Sequence, residues 1–578
     1  MKHISRNILL TAAAVLAAAC GDDFLNYQPK GVLTQAQVTT PENANSLVTA
    51  AYAGIANDEM IGPITSMWIY GSVRSDDAYK GGGGTGDVGD VNRYEQYNLT
   101  VPDQAGSDWM FPRTWTNYYK AISRINLAIT AVKQTDISKF AEKDIRLGEL
   151  HFLRGHCYFM LKRLFNKVPF IDETMDKDQI LKTKNDLTNE ELWNRIADDF
   201  KAGVDKLPEN QPEKGRANKY AAYSYLAKVR LYQAYEQNET DHQVKNINAQ
   251  RMQEVVDLTA FVLGKYSLQP DFGENFLDGY DNGVESIFAA QFSLGDGTEA
   301  GRASYVFGLN SPHGSPLYGC CGFHMASQNV VNAFKTDENG LPMFDSFNNV
   351  DMKDSIDFRT NGIDPRLDHT VGVPAHPFKY RPDMIYQKSW ARDPGVYGYF
   401  GNMKEQQAPD CACYFKKGPF MGTSKNLDFI RYADVLLMRA EALIELGQHN
   451  EALPLINQVR ERAKASTKRT KYADGADPSN YRIGIYSPGV NINWTQENAR
   501  KALRFERRME FAMEGSRFFD LVRWGIAAET LNAYLDVEKT KRDFLTFAKF
   551  TKGRDEYYPI PQREINFTKG LYIQNNGY

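Results

Sequence analysis

Apolar residues recur at three- and four-residue spacing in successive paired segments, and this restricts the chain to stacked helices before any other feature is weighed. Asn117 to Val132 places Tyr118, Ala121, Ile122, Ile125, Ala128 and Ile129 on one face. Asp144 to Phe165 repeats the pattern and stops at Asn166-Lys167-Val168-Pro169, where proline denies further helix. A second pair spans Glu190 to Lys206 and Asn218 to Tyr235, with Ala222, Tyr225, Leu226, Val229, Leu231 and Tyr232 as its packed face, and Ala249 to Leu263 follows.

The sharpest unit lies at Arg431 to Ala463. Ala440, Ala442, Leu443 and Leu446 precede the turn Gly447-Gln448-His449-Asn450, and Ala452, Leu455, Ile456 and Val459 line the next helix. Small residues at the crossing and a thirty-odd residue unit resemble a tetratricopeptide repeat. Residues 265 to 430 interrupt the helices with short apolar runs such as Ser286 to Phe292, set among Gly, Pro and Asp. Gly71 to Pro112 has the same character. Long irregular segments are uncommon in a compact body unless they carry function, so both are expected to form a binding face.

Leu16-Ala17-Ala18-Ala19-Cys20-Gly21, after Lys2, Arg6 and an apolar run from Ile8, reads as a lipoprotein signal peptide of residues 1–19 with Cys20 lipidated. Several acyl chains at ~0.8 kcal/mol per buried CH₂ would hold such a protein on a membrane. Residues 20–45 read as a tether. Loss of Lys2 and Arg6 from 68 basic residues leaves 66 against 72 acidic ones, net −6. No basic stripe marks a nucleic-acid binder. Cys157 sits in an apolar helical pattern and reads as a buried free thiol. Cys320, Cys321, Cys411 and Cys413 form two tight clusters, and cross-loop disulfides, free thiols or a four-thiolate metal site all remain open, the last against the usual ligand spacing.

Catalytic signatures are absent. Gly81, Gly83 and Gly86 fit G-x-G-x-x-G, but no hydrophobic strand precedes them, and HExxH, G-x-S-x-G and a phosphate-binding loop do not occur. His151 and His156 read as packing or surface residues. Asp76-Asp77 and Asp198-Asp199 could supply acid/base chemistry, though adjacent carboxylates are commonly just solvated. Arg504 to Glu510, continuing to Glu514, Arg517, Asp520 and Arg523, interleaves charges at helical spacing and predicts ion pairs that build architecture. Tyr557-Tyr558-Pro559-Ile560-Pro561 predicts a rigid extended segment pinning the C-terminus across the helices.

Phe505-Glu506-Arg507-Arg508, Glu514 to Gly525 and Pro559 to Asn566, with the ending Gln574-Asn575-Asn576-Gly577-Tyr578, resemble the SusD/RagB lipoproteins of the Bacteroidetes. Tyr432 to Ala442, Asp364-Pro365-Arg366-Leu367 and the signal-peptide cysteine add to the resemblance, which runs through the whole mature chain in order. It implies an all-α, SusD-like fold of four tetratricopeptide-like helix pairs. Regions 46–264 and 431–578 would build the scaffold, and the loop-rich region 265–430 would carry the ligand. It implies a non-enzymatic lipoprotein on the outer face of the outer membrane, held by lipid on Cys20, that passes oligosaccharides to a SusC-like TonB-dependent transporter. A peptide-binding RagB-like subunit and an anchored glycoside hydrolase are the alternatives.

No cofactor or metal is expected, since no Asp/Asn cluster of the helix-loop-helix calcium type occurs. A sugar ring has an apolar face and a rim of hydroxyls, so aromatic platforms with polar neighbours suit it. Candidate ligand residues are therefore Arg74, Asp76, Asp77, Tyr94, Tyr97, Trp109, Tyr318, Trp390, Tyr397 and Tyr399, with Tyr79 and Phe400 beside them.

Overall fold

In the computed structural model, residues 39–57, 59–100, 109–297 and 302–578 are described. Cys20 and the signal peptide lie outside them. The first helix, α1 (Pro41–Ile55), begins where Thr40 accepts the Asn43 N–H at 3.3 Å and Pro41 has no N–H to lose. The expected tether to residue 45 therefore ends by residue 40.

Helix α2 (Met110–Gln134) packs on α1, and α3 (Lys143–Phe165) packs on α2. Next come α4 (Asn189–Lys206), α5 (Lys219–Ala234) and α6 (Ala249–Ala260), each against its predecessor. Thr188 and Glu191 close a reciprocal capping box at the start of α4. Helix α3 is buried on nearly every side because α2 and α4 cover opposite faces. Gly155 lets α4 approach, since a Cβ there would sit 3.0 Å from the Phe200 ring.

Helix α7 (Tyr432–Glu445) stacks directly on α6, although the two are separated in sequence by the whole irregular region. With α8 (His449–Ala465) it completes four consecutive helix pairs, so the all-α, tetratricopeptide-like array is continuous in space. Helix α9 (Gln496–Phe511) lies against α7 and α8, followed by the short α10 (Arg517–Arg523).

The described residues between 265 and 430 form small antiparallel strand pairs set among turns. Strand β1 (Ala78–Gly81) pairs with β3 (Phe323–Ala326), and β2 (Ser286–Ala290) with β4 (Leu427–Arg431), which leads straight into α7. Tyr558 N–H donates to the Leu164 carbonyl at 2.8 Å, and its ring joins Tyr70, Tyr94, Phe111 and Phe165. The C-terminal segment is pinned as its two prolines suggested.

The interleaved charges of α9 are interior ion pairs. Arg507 bonds Asp434 at 2.9 Å and Asp520 at 3.0 Å. Glu506 joins Arg366 at 2.6 Å and Arg460 at 2.9 Å, and Arg523 joins Glu441. Helix, loop half and C-terminus are thus tied electrostatically.

The cysteine clusters correct the cross-loop expectation: Cys320 pairs with Cys321 and Cys411 with Cys413. Cys413 sits at the base of the Tyr414–Lys417/Phe420–Thr423 hairpin, whereas Cys320 N–H donates to the Pro419 carbonyl at its turn. At ~3.3 Å per residue the ends are roughly 13 Å apart, beyond disulfide reach. Cys157 is buried and free, as expected.

Candidate functional site

Most of the residues expected to touch ligand are built into the interior. Arg74 is fully buried, donates to the Asp555 carbonyl at 2.6 Å and lies 4.3 Å from the Tyr558 ring centroid. Tyr97 donates its hydroxyl to the Arg74 carbonyl at 2.7 Å. Asp76 receives Arg517 at 2.8 Å, and Asp77 receives Arg508 at 3.0 Å. Tyr94 belongs to the Tyr558 cluster, and Tyr397 stacks on Phe544 at 5.0 Å. Tyr79 and Phe400 are buried as well. Burial among protein partners removes these side chains from a ligand-facing surface.

Tyr318 and Trp390 do meet, but inside a second small core with Phe378 and Tyr386, where Trp390 is 7 % exposed. Trp390→Ala should therefore cost about 3–5 kcal/mol by leaving a cavity. Any loss of ligand binding in that variant should come with a lowered urea midpoint for the loop half, followed by near-ultraviolet circular dichroism. Binding lost at an unchanged midpoint would restore Trp390 to the ligand face.

The catalytic candidates are equally occupied. Asp199 is held by Arg154 at 2.7 Å and His151 at 2.8 Å, while Asp198 is exposed 3.6 Å from Lys201. His156 is a packed residue bonded to the Tyr225 hydroxyl at 2.9 Å. Cys411 and Cys413 approach Asp278 as a group of metal-ligand type. Joined to each other, they offer no thiolate.

Trp109 and Tyr399 keep partial exposure. Tyr399 lies on an exposed strip of the loop half. Lys388 Nζ stands 4.6 Å from its ring centroid, Phe400 backs it at 5.1 Å, and its hydroxyl donates to the Lys353 carbonyl at 3.2 Å. Gln387, Lys388, Ser389 and Arg392 are exposed along the same segment. Arg392 pairs with Asp87 at 2.8 Å, and Asp87 also accepts the Gly83 N–H at 2.9 Å, which fixes the glycine loop beside it. A partly exposed aromatic ring with an ammonium at its face, preceded by an exposed polar segment, can stack on a pyranose and bond its hydroxyls. Sequence reasoning did not single out Lys388 and Arg392, which stand in the polar run before Tyr399, or Asp87, which stands in the first irregular segment.

A deeper cavity of about 170 Å³ lies between the helix array and the loop half. Several of its charges are paired within the protein: Lys228 with Asp434, Lys404 with Glu514, and Lys425 with Asp281.

Several buried groups bear on acid stability. Burial raises the Asp76 carboxyl, but Arg508 and Arg517 outweigh it and hold it at about 2; Arg154 likewise holds Glu173 at about 2 against burial. Burial pushes His156 down to about 3 and His242 to about 4. Lowered carboxyls stabilise the fold above their unfolded values near ~4 and lose that contribution as pH falls to ~2. The two histidines lose theirs between ~6.5 and their folded values. Buried Glu95 and Glu556, raised to about 8, act oppositely between ~4.5 and 8. Below pH ~4.5 these opposing groups are already protonated in both states, so the urea midpoint should fall steeply there. A midpoint level between pH 4.5 and 2.5 would contradict these assignments.

The family model described as "SusD family" matches residues 284–578, and one described as "Starch-binding associating with outer membrane" matches residues 40–231. A SusD-like protein of Formosa agariphila is 22 % identical over 98 % of this chain and 99 % of its own. A SusD-like protein of Bacteroides ovatus is 24 % identical over 97 % of this chain and 93 % of its own. Among solved structures, surface glycan-binding protein A from Bacteroides fluxus superposes with a TM-score of 0.66 at 23 % identity, covering 93 % of this chain and all of its own. That of Bacteroides thetaiotaomicron in complex with laminarihexaose gives 0.64 at 19 % identity, with the same coverage. No helix among the described residues is long and apolar enough to cross a membrane.

Proposed function

Because this chain belongs to the SusD family, we propose that it captures oligosaccharide or polysaccharide at the cell surface and delivers it to a SusC-like TonB-dependent outer-membrane transporter. Capture leaves the glycan chemically unchanged. The protein is held on the outer membrane by lipid on Cys20 after loss of residues 1–19, and the 265–430 region carries the ligand face. The observation that carries this reading is the partly exposed Tyr399 ring with the Lys388 ammonium at its face, next to an exposed polar segment of the loop half. Trp109, partly exposed at the start of α2 and outside that region, is a separate aromatic candidate. Related folds with the names laminarin-binding SusD-like protein and surface glycan-binding protein A support a glycan over a peptide. The adjacent carboxylates that a hydrolase would need are engaged by Arg508 and Arg517.

Laminarihexaose and laminarin are the first ligands to try. Tyr399→Ala should weaken binding about five- to tenfold by calorimetry, the value of one lost stacking contact of ~1 kcal/mol, while leaving the urea midpoint unchanged. Unaltered affinity for every glycan that binds would remove Tyr399 from the site.

A further inference from the structure

A cavity of about 450 Å³ opens on the helix array, away from the Tyr399 strip, walled by α3, α4, α5 and the C-terminal Tyr557. That volume lies in the roughly 300–1,000 Å³ range of small-ligand sites. Lys162 of α3 forms part of its wall, although the residue is 3 % exposed. Its ammonium donates to Oδ1 of Asn166 and of Asn189. Among the described residues no carboxylate lies within ion-pair distance of it, and an ammonium has three N–H groups, so one is left without a protein acceptor. Glu239, also on the wall, acts on this charge from beyond ion-pair distance, and a buried ammonium whose direct partners are only amide oxygens is costly. Burial accordingly pushes Lys162 down to about 7.

Aromatic and polar groups surround that charge in fixed positions. Trp193 lines the cavity, with its ring centroid 5.7 Å from Lys162 Nζ and 5.9 Å from the Tyr232 ring. Gln233 donates to Glu190 at 2.8 Å and Asn194 at 3.0 Å and accepts from Arg230 at 2.5 Å, so this part of the wall is fixed by its own hydrogen bonds. Arg163, also on the wall, donates to Met160 Sδ and lies over the Phe159 and Phe519 rings, with no carboxylate partner.

We propose that this cavity is a second ligand site, which takes a saccharide end group bearing a carboxylate, its ring against Trp193 and its carboxylate on the unpaired N–H of Lys162. The anion supplies a countercharge in direct contact, which Glu239 does not reach to give, and the indole supplies the apolar face that a sugar requires. The loop face is not involved, so this site stands or falls separately from the Tyr399 strip.

The test uses the full-length protein, with Trp fluorescence and calorimetry against a glucuronic acid-terminated disaccharide, its neutral glucose-terminated counterpart, and sodium glucuronate alone. The acidic disaccharide should bind at least tenfold more tightly than the neutral one and than free glucuronate. Lys162→Met should abolish that preference, Trp193→Ala should weaken binding about tenfold, and Tyr399→Ala should leave it unchanged. Equal binding of acidic and neutral disaccharides, no binding of either, or an unaltered preference in Lys162→Met overturns the proposal. Should Lys162→Met fail to fold, quenching of tryptophan fluorescence by the acidic disaccharide, present in the parent and absent in Trp193→Ala, decides it; quenching retained in Trp193→Ala overturns it.

Discussion

Glu510→Gln should unfold this protein more readily than almost any other single isosteric change. The carboxylate is fully buried and accepts hydrogen bonds from three guanidiniums, Arg366 at 3.1 Å, Arg431 at 2.5 Å, and Arg462. Glu285 shares Arg431 and Arg462 at 2.8 Å each, and Glu506 and Asp364 share Arg366. Removing one negative charge leaves these arginines short of countercharge where water cannot compensate, and breaking a buried pair costs about 3–5 kcal/mol. Because Arg431 ends β4 and Arg462 lies on α8, the loss loosens the loop half from the array. The urea midpoint should fall sharply and soluble yield should drop. Asp383→Asn, which breaks an exposed pair with Arg381, should leave the midpoint where it was. Equal midpoints for the two variants would refute the interior network as the tie between the halves.

Gly71→Ala should be nearly as damaging, for a steric reason. Residues Trp68–Val73 make one wide helical turn whose Gly71 faces the backbone of Gly515, and a Cβ at Gly71 would lie 1.8 Å from the Gly515 carbonyl oxygen. Neither side is a flexible side chain, so relief requires the turn and the α9–α10 corner to separate. Gly515 itself has φ +79°, and its own Cβ would fall 2.7 Å from the Met67 carbonyl carbon. Overpacking costs about 1–3 kcal/mol, and contact of backbone with backbone puts Gly71→Ala at the upper end or beyond. Gly515→Ala adds the left-handed strain of about 1–2 kcal/mol. Gly86→Ala, with nothing within 4 Å of the added methyl, should be silent. A silent Gly71→Ala in the same urea titration would show that the turn and corner are not in contact.

The helix array was legible in the sequence because a two-sided packing arrangement imposes a period, and Tyr118, Ala121, Ile122 and Ile125 display it. Even the charge alternation around Glu506 and Arg507 declared ion pairs. Aromatic content in an irregular segment carried no such information. Tyr94, Tyr97, Tyr318, Trp390 and Tyr397 stand in stretches rich in Gly and Asp, yet those stretches fold into a packed layer, and a ring that stacks on protein looks in sequence like one that stacks on sugar. Asp76 and Asp77 gave a fairer hint, since Arg508 and Arg517 stood in a segment already expected to form ion pairs. The cysteine pairing depended on where a hairpin placed each cluster, which spacing alone does not encode. Lys162 was visible as a cation within Met160-Leu161-Lys162-Arg163-Leu164, an apolar run where a charge needs a reason.

Glycan capture is most directly tested by running the soluble form beginning at Gly21 through native gels cast with plant, fungal, host and bacterial polysaccharides, beside a non-binding control protein. The account predicts retardation by at least one glycan class, reduced by Tyr399→Ala or Trp109→Ala in a protein that still unfolds at the parent midpoint. Migration equal to the control in every gel, with selective retention of peptides instead, would contradict it.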